Sequence, residues 1–355
     1  QQNIVNLPGW RSMSAANGSH QFAKCLYADA CKGGRSTEPP SNTTLCNTGY
    51  KANSKLCFAC EADFHREGLA QCISCPDAGT SLGIVLLGAV LFVPAIVWSA
   101  RAALWHFGPV AEGSFKIMLS HLQVVSFVRF FAPQQWSDGM KGFFMFQASL
   151  STGGFVNIDC LSTPTSGAEM LYGHQIFSLL LPLIVGVIMY VFWYVHTSLS
   201  EKTILKPSAK ATMSKKNDLL PTRNDKWISS MVGILYVLYP MLCYQATKML
   251  DCTGAAGDAV PPLWLTVDLD EPCFQGRHLH MMIGICVPQI LLFVIGLPAG
   301  LFVTLLRAVK TKPPTNTDMW RWGLFIREYS VDRWFWELVP TARKLTFAML
   351  AVLGG

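Results

Sequence analysis

The sequence predicts an all-α transmembrane helix bundle, five full spans plus the start of a sixth, with a small disulfide-rich N-terminal ectodomain. Three observations predict it. The 355 residues are 51% hydrophobic and only 14% charged, where a soluble surface needs nearer a quarter charged. The apolar residues gather in blocks close to the length of about 20 that a bilayer requires. Seven of the 12 cysteines crowd into the first 78 residues, as in an oxidised module outside the cell.

Residues 1–78 form the expected extracellular cysteine-rich domain. They are polar and rich in Gly, Ser, Asn and Pro, with no apolar run that spans a membrane. Their weak periodicity reads as short strands and turns. A domain this small buries little core, and disulfides at about 2–4 kcal/mol each supply the missing stability. Residues 79–355 are the expected transmembrane domain. The chain opens Gln1-Gln2 and stops at Gly355 inside an apolar block, which reads as a partial chain.

The expected spans are 82–104, 115–131, 176–194, 227–249 and 281–306, with a sixth starting near 345. Pro94, Pro240, Pro288 and Pro298 fall inside them. Each reads first as a bend and second as a gating hinge.

Loop charges orient the spans, because lysine and arginine accumulate on the cytoplasmic side. Loop 197–226 holds Lys202, Lys206, Lys210, Lys215, Lys216, Arg223 and Lys226 against three acids, and 307–344 is equally basic. Both face the cytoplasm. Loop 250–280 has five acids against Arg277, and 132–171 is also acidic. Both face out, and alternation puts 1–78 outside with them. The cysteines agree: Cys25, Cys31, Cys46, Cys57, Cys60, Cys72, Cys75, Cys160, Cys252 and Cys273 all fall outside, and Cys243 and Cys286 lie within spans.

The run Cys57-x-x-Cys60 … Cys72-x-x-Cys75 allows a zinc knuckle, but disulfides suit an oxidising face better. Cys252 and Cys273 flank the acidic loop and are placed to close it. The odd seventh N-terminal cysteine has Cys160 as a candidate partner, or a partner beyond the chain. Asn17-Gly-Ser and Asn42-Thr-Thr are sequons for N-linked glycans.

The stretch "CNTGYKANSKLCFACEADFHREGLAQCISC" resembles the EGF-like or ephrin-receptor-like cysteine repeats of large protist and algal surface proteins. Behind it, "FKIMLSHLQVVSFVRFF", "LYVLYPMLC", "LTVDLDEPC", "IGLPAGLFVTLL", "WRWGLFIREY" and "WFWELVPTARKLTF" follow in an order and spacing similar to TRP-like or polycystin-like membrane regions. The resemblance implies a multipass protein of the plasma or ciliary membrane related to TRP-type cation channels. Two features depart from it. The chain ends where a pore-forming helix pair would continue, and no span carries a voltage sensor's arginine ladder.

Polar residues inside spans mark candidate sites. Arg129 either finds a buried partner or snorkels to the outer interface. Gln123, on the same helix as His121, reads as interhelical packing glue. Asp268, Asp270 and Glu271 are candidates for an outer cation vestibule or a calcium site, although no EF-hand loop is present; a solvated loop is the plainer alternative. Trp320, Trp322, Trp334 and Trp336, mixed with Arg321, Arg327, Arg333 and Arg343, suit an interfacial helix on the cytoplasmic leaflet. There Glu337 with Arg343 or Lys344 is a candidate linker clamp. His278 and His280 are too few for a metal site.

No phosphate loop, nucleophile elbow or HExxH helix occurs, so the chain is not read as an enzyme and no cofactor is expected beyond glycans and bound lipids. The net charge of +6 fits cytoplasmic loops near anionic lipid, not nucleic acid. Two functions stand: a cation channel subunit or channel-associated subunit, or an anchor holding an extracellular filament or matrix. Expected partners are the bilayer, other membrane subunits in an oligomer, and an extracellular protein.

Overall fold

The computed structural model describes residues 4–14, 20–25, 27–36, 46–52, 54–61, 63–67, 71–75, 77, 79–80, 83, 109–128, 137, 139–140, 143, 166–203, 221–254, 263–310, 315–326 and 331–353. Two compact units make up the chain. One comprises Gln1–Leu87, Phe155–Ile176 and Thr247–Val287; the other comprises Gly88–Gly154, Phe177–Ala246 and Pro288–Gly355.

The first unit opens with short antiparallel pairs. β1 (Ile4–Asn6) pairs β4 (Gly34–Ser36), β2 (Trp10–Ser14) pairs β3 (His20–Lys24), and β5 (Phe64–Glu67) pairs β6 (Gln71–Ser74). A lone two-stranded ribbon is marginal in water, so cross-links hold these pairs. Disulfides join Cys25–Cys31, Cys46–Cys57 and Cys60–Cys72. The cystines are themselves the core: Cys25, Cys31, Cys46 and Cys57 are buried around Ala30 and Tyr50. Gly49 has φ +89°, and a Cβ there would meet the Phe64 ring at 2.8 Å, so only glycine fits.

A three-stranded sheet completes this unit, in the order β7 (Cys252–Gly254), β8 (Leu263–Leu265), β9 (Asp268–Pro272). Cys252–Cys273 closes it. Ala23, Leu56 and Phe58 of the cysteine-rich segment pack on Leu269, with Tyr27 and Trp264 beside them. The N-terminal segment therefore shares a core with the loop that sequence reading placed 200 residues away.

Helices dominate the rest. They are α1 (Pro109–Val128), α2 (Gly167–Thr203) and α3 (Arg223–Lys248). α4 runs from Gly276–Met281 through wide π-turns at Met282–Cys286 and Ile290–Ile295 to Gly296–Lys310. α5 (Asn316–Ile326) and a 3₁₀ segment (Val331–Glu337) lead into α6 (Leu338–Leu353). Reciprocal Thr-x-x-Asp capping opens α3 through Thr222 and Asp225, and α5 through Thr315 and Asp318. Pro288 sits between the two π-turns of α4, the kind of irregularity that accommodates a missing N–H.

Among the described residues three helices are long and apolar enough to cross a membrane: Gly167–Leu199, Arg223–Lys248 and Gly276–Arg307. They coincide with the third, fourth and fifth expected spans. Where the sequence predicted five full spans and the start of a sixth, these three are the ones that meet both conditions. The first expected span lies outside the described residues apart from Gly83. α1 is helical but less apolar, because it carries Lys116, Ser120, His121 and Gln123. α6 covers 16 residues, short of the usual crossing length of about 20. α2 buries Val185, Met189 and Trp193 against Ile234, Leu238 and Leu242 of α3. Its other face exposes Leu183, Ile184, Val187, Ile188 and Val191. So large an exposed apolar surface suits lipid tails better than water.

Candidate functional site

Two polar clusters stand out. The first lies in the unit that holds the disulfides, and it absorbs the acidic loop. Asp268 Oδ2 accepts from Ala168 N at 3.1 Å, which satisfies an open donor at the start of α2. Its other oxygen accepts from Asp270 N. Glu271 is bound by Arg277 at 3.0 Å and by the Tyr172 hydroxyl at 3.2 Å. Arg277 also reaches Glu169, linking the start of α4 to α2. His278 receives Phe274 N on Nδ1 and faces Met249 O through Nε2, which ties α4 to the end of α3.

Asp270 pairs loosely with Lys55 at 4.0 Å. The Lys55 ammonium also donates to Leu269 O at 3.0 Å and rests 3.1 Å from the Trp264 ring centroid. Burial pushes the Lys55 ammonium pKa below its ordinary value, against the pull of Asp270 and Asp268. The three acids expected as a cation vestibule or solvated loop are thus engaged in capping, pairing and cross-bracing. Among the described residues no group of three or more His, Cys, Asp or Glu side chains is arranged to hold a metal.

The second cluster lies within the helical unit. Lys116 of α1 is buried and donates to Glu337 Oε2 at 2.8 Å and to Leu324 O at 3.0 Å. Glu337 is 1% exposed, and its Oε1 has no hydrogen-bond partner. Lys344, also 1% exposed, rests its ammonium 3.8 Å from the Tyr236 ring centroid. Lys116 lies 5.9 Å from the same ring and 5.5 Å from that of Phe325. Arg343 turns away and donates to Ser120 Oγ at 2.9 Å. The carboxylate of the expected clamp, Glu337 with Arg343 or Lys344, hydrogen-bonds Lys116 and also acts electrostatically on Lys344. Lys116 is 221 residues distant in the chain, and nothing local in the sequence marks it.

Other expected residues fall as follows. Gln123 is buried and donates to Val237 O at 3.0 Å, an interhelical bond of the kind sequence reading anticipated. A second one joins Gln289 to Ser178. Arg321 holds Asp225 at 2.6 Å, fixing α5 to the start of α3. Cys75 is disulfide-bonded too. Cys160, its candidate partner, lies outside the described residues, as do Arg129 and the sequon residues Asn17 and Asn42. Cys243 and Cys286 are buried and take no part in a disulfide.

By its fold the chain is a mostly helical protein with, among the described residues, three helices fit to cross a bilayer and a disulfide-stapled N-terminal region. No family model, no curated protein and no solved structure matches it.

Proposed function

We propose that this chain is part of a TRP- or polycystin-like cation channel subunit, or of a subunit that accompanies such a channel, in the plasma or ciliary membrane. The observation that carries the reading is the buried Lys116–Glu337–Lys344 cluster. Moving an ion out of water costs several kcal/mol even after relaxation, and apolar residues of similar volume are often at least as stabilising. A bundle serving only as an anchor gains little from such a cluster. A bundle whose α1 must shift against the segment entering α6 gains a polar contact that can be remade, as sensor-to-pore coupling requires.

The second reading, an extracellular anchor, draws support from the outer unit. There the cysteine-rich segment shares a core with the 252–273 sheet and ties to it through Lys55. Force applied to that segment would pass into the strands between α3 and α4.

The test is current recording from the longest natural form of the protein in liposomes, beside cryo-EM of the same preparation. Cation currents and a symmetric ring of copies around an axial pore are expected. Silence under voltage, calcium and stretch, with single copies in the map, would leave the anchor reading standing.

A further inference from the structure

Arg223 and Lys226 lie in the first turn of α3. Asp225 between them is already engaged: it accepts from Thr222 N, from Thr222 Oγ1 and from Arg321 Nε. Among the described residues neither Arg223 nor Lys226 makes an ion pair with a carboxylate. Both lie against aromatic rings instead. The Arg223 guanidinium carbon is 5.2 Å from the Tyr194 ring centroid and 5.8 Å from that of Tyr190. Lys226 Nζ is 5.4 Å from the Trp193 ring. Trp227 meets Tyr190 edge-on at 6.2 Å and donates to Gly186 O, which fixes the wall.

A π face steadies a cation but leaves its N–H groups unspent. Arg223 Nε is buried with no acceptor, and an unmet donor on a charged group is among the costlier kinds. Among the described residues the site therefore holds two positive charges, an unused donor and no carboxylate paired with either charge. It also opens sideways. Tyr190 and Tyr194 are exposed together with Val187, Val191 and Val195, the face of α2 that suits lipid. At 1.5 Å per residue, Tyr194 lies about 27 Å along the helix from Ile176, where the expected span begins, close to the hydrocarbon thickness of about 30 Å. That is the depth where headgroups begin and aromatic belts sit.

We propose that Arg223 and Lys226, set on the wall of Tyr190, Trp193 and Tyr194, bind the phosphate of an anionic membrane lipid. Its acyl chains lie along Val187 and Val191. The guanidinium fork suits two phosphate oxygens at once, and the ammonium acts as a point charge beside it. The site rests on the membrane reading above and specifies which lipid chemistry the bundle recruits.

The protein is placed in nanodiscs of phosphatidylcholine alone, or with added phosphatidylserine or phosphatidylinositol 4-phosphate. Native mass spectrometry then measures retained anionic lipid. Wild type is expected to retain it and to melt higher in the anionic discs. R223Q/K226Q should retain about thirty-fold less, R223K/K226R should keep most of it, and K32Q/K51Q, which removes the same charge from exposed lysines of the outer unit, should match wild type. Equal retention by R223Q/K226Q, or an equal loss in the control, overturns the site. Inorganic phosphate that stabilises phosphatidylcholine discs as strongly as anionic lipid overturns the lipid as ligand. Failure of wild type to enter any disc overturns the membrane reading and the site with it, whereas entry without selective retention overturns the site alone.

Discussion

The disulfide-bearing unit and the helical unit keep their charges in opposite ways. In the first, ion pairs are open to water: the side chains of Arg277 and Glu169 are 43% and 42% exposed. In the second, Lys116 and Glu337 are 6% and 1% exposed. Exposed pairs contribute at most about 1 kcal/mol, so the first unit takes its stability from covalent links and a core made largely of cystine. The helical unit has no cross-link among its described residues, and its Cys243 packs in an apolar cluster with Phe127 and Tyr239. Its cohesion comes from interlocked apolar faces and from charges that are costly to separate. Where the unfolded chain can be restricted by oxidation, charge pairs are free to be dispensable. Where it cannot, a few buried charges fix the register of the helices.

The sharpest way to break this contrast is to remove one member of the buried pair. Glu337→Gln should destabilise the helical unit by about 3–5 kcal/mol, because two buried ammoniums lose their carboxylate. The triple variant K116M/E337L/K344M should recover most of the loss. Thermal melting in detergent checks both, and a harmless single variant would remove the basis for treating the cluster as an energetic hub. Opening the Cys252–Cys273 ring comes next. C252S/C273S releases a link spanning 21 residues and should cost the disulfide-bearing unit about 3 kcal/mol. Amide exchange in β7, β8 and β9 should speed up while far-UV helicity holds; a collapse of helicity would show that the two units do not differ in this way.

Smaller effects sharpen the comparison. Lys55→Ala removes the contact with Trp264 and the bond to Leu269 O, for about 1 kcal/mol. Faster amide exchange in β8 and β9 should report it, and Lys55→Arg should restore most of the protection. The smallest effect concerns pH. Asp251 accepts from Thr266 Oγ1 at 2.7 Å. Burial still raises its carboxyl above the usual range, against Thr266 and Lys248. A raised folded pKa means the fold favours the protonated form. That contribution is complete below the unfolded value of about 3.9 and is lost as pH rises through the folded one. Acidification from neutral should therefore firm the disulfide-bearing unit slightly in wild type. D251N should flatten the response in melts across that window.

Parts of the candidate sites were legible because they depend on neighbours in sequence. Cys252 and Cys273 bracket one loop, and they pair. Gln123 is a polar side chain in an apolar block, and it bonds across helices. The roles of Asp268, Asp270 and Glu271 were not legible, because the groups that engage them come from distant segments: Ala168 N, Lys55, and Tyr172 with Arg277. Charge density announces a cluster but not whether the fold spends it internally.

The sequence by itself determined α2, α3 and α4, because a run of apolar residues long enough to cross a bilayer is a local property that needs no partner. It also determined that the N-terminal segment is stapled by cystines, because seven cysteines in one short polar stretch have partners within reach of one another. Only the tertiary structure decided which cysteines join, that the N-terminal segment shares a core with the 252–273 sheet, and that Glu337 belongs to Lys116. Those are pairings between distant segments, 221 residues apart in the case of Lys116 and Glu337. They are chosen by where burial leaves a charge or a ring without water, and no periodicity records that choice.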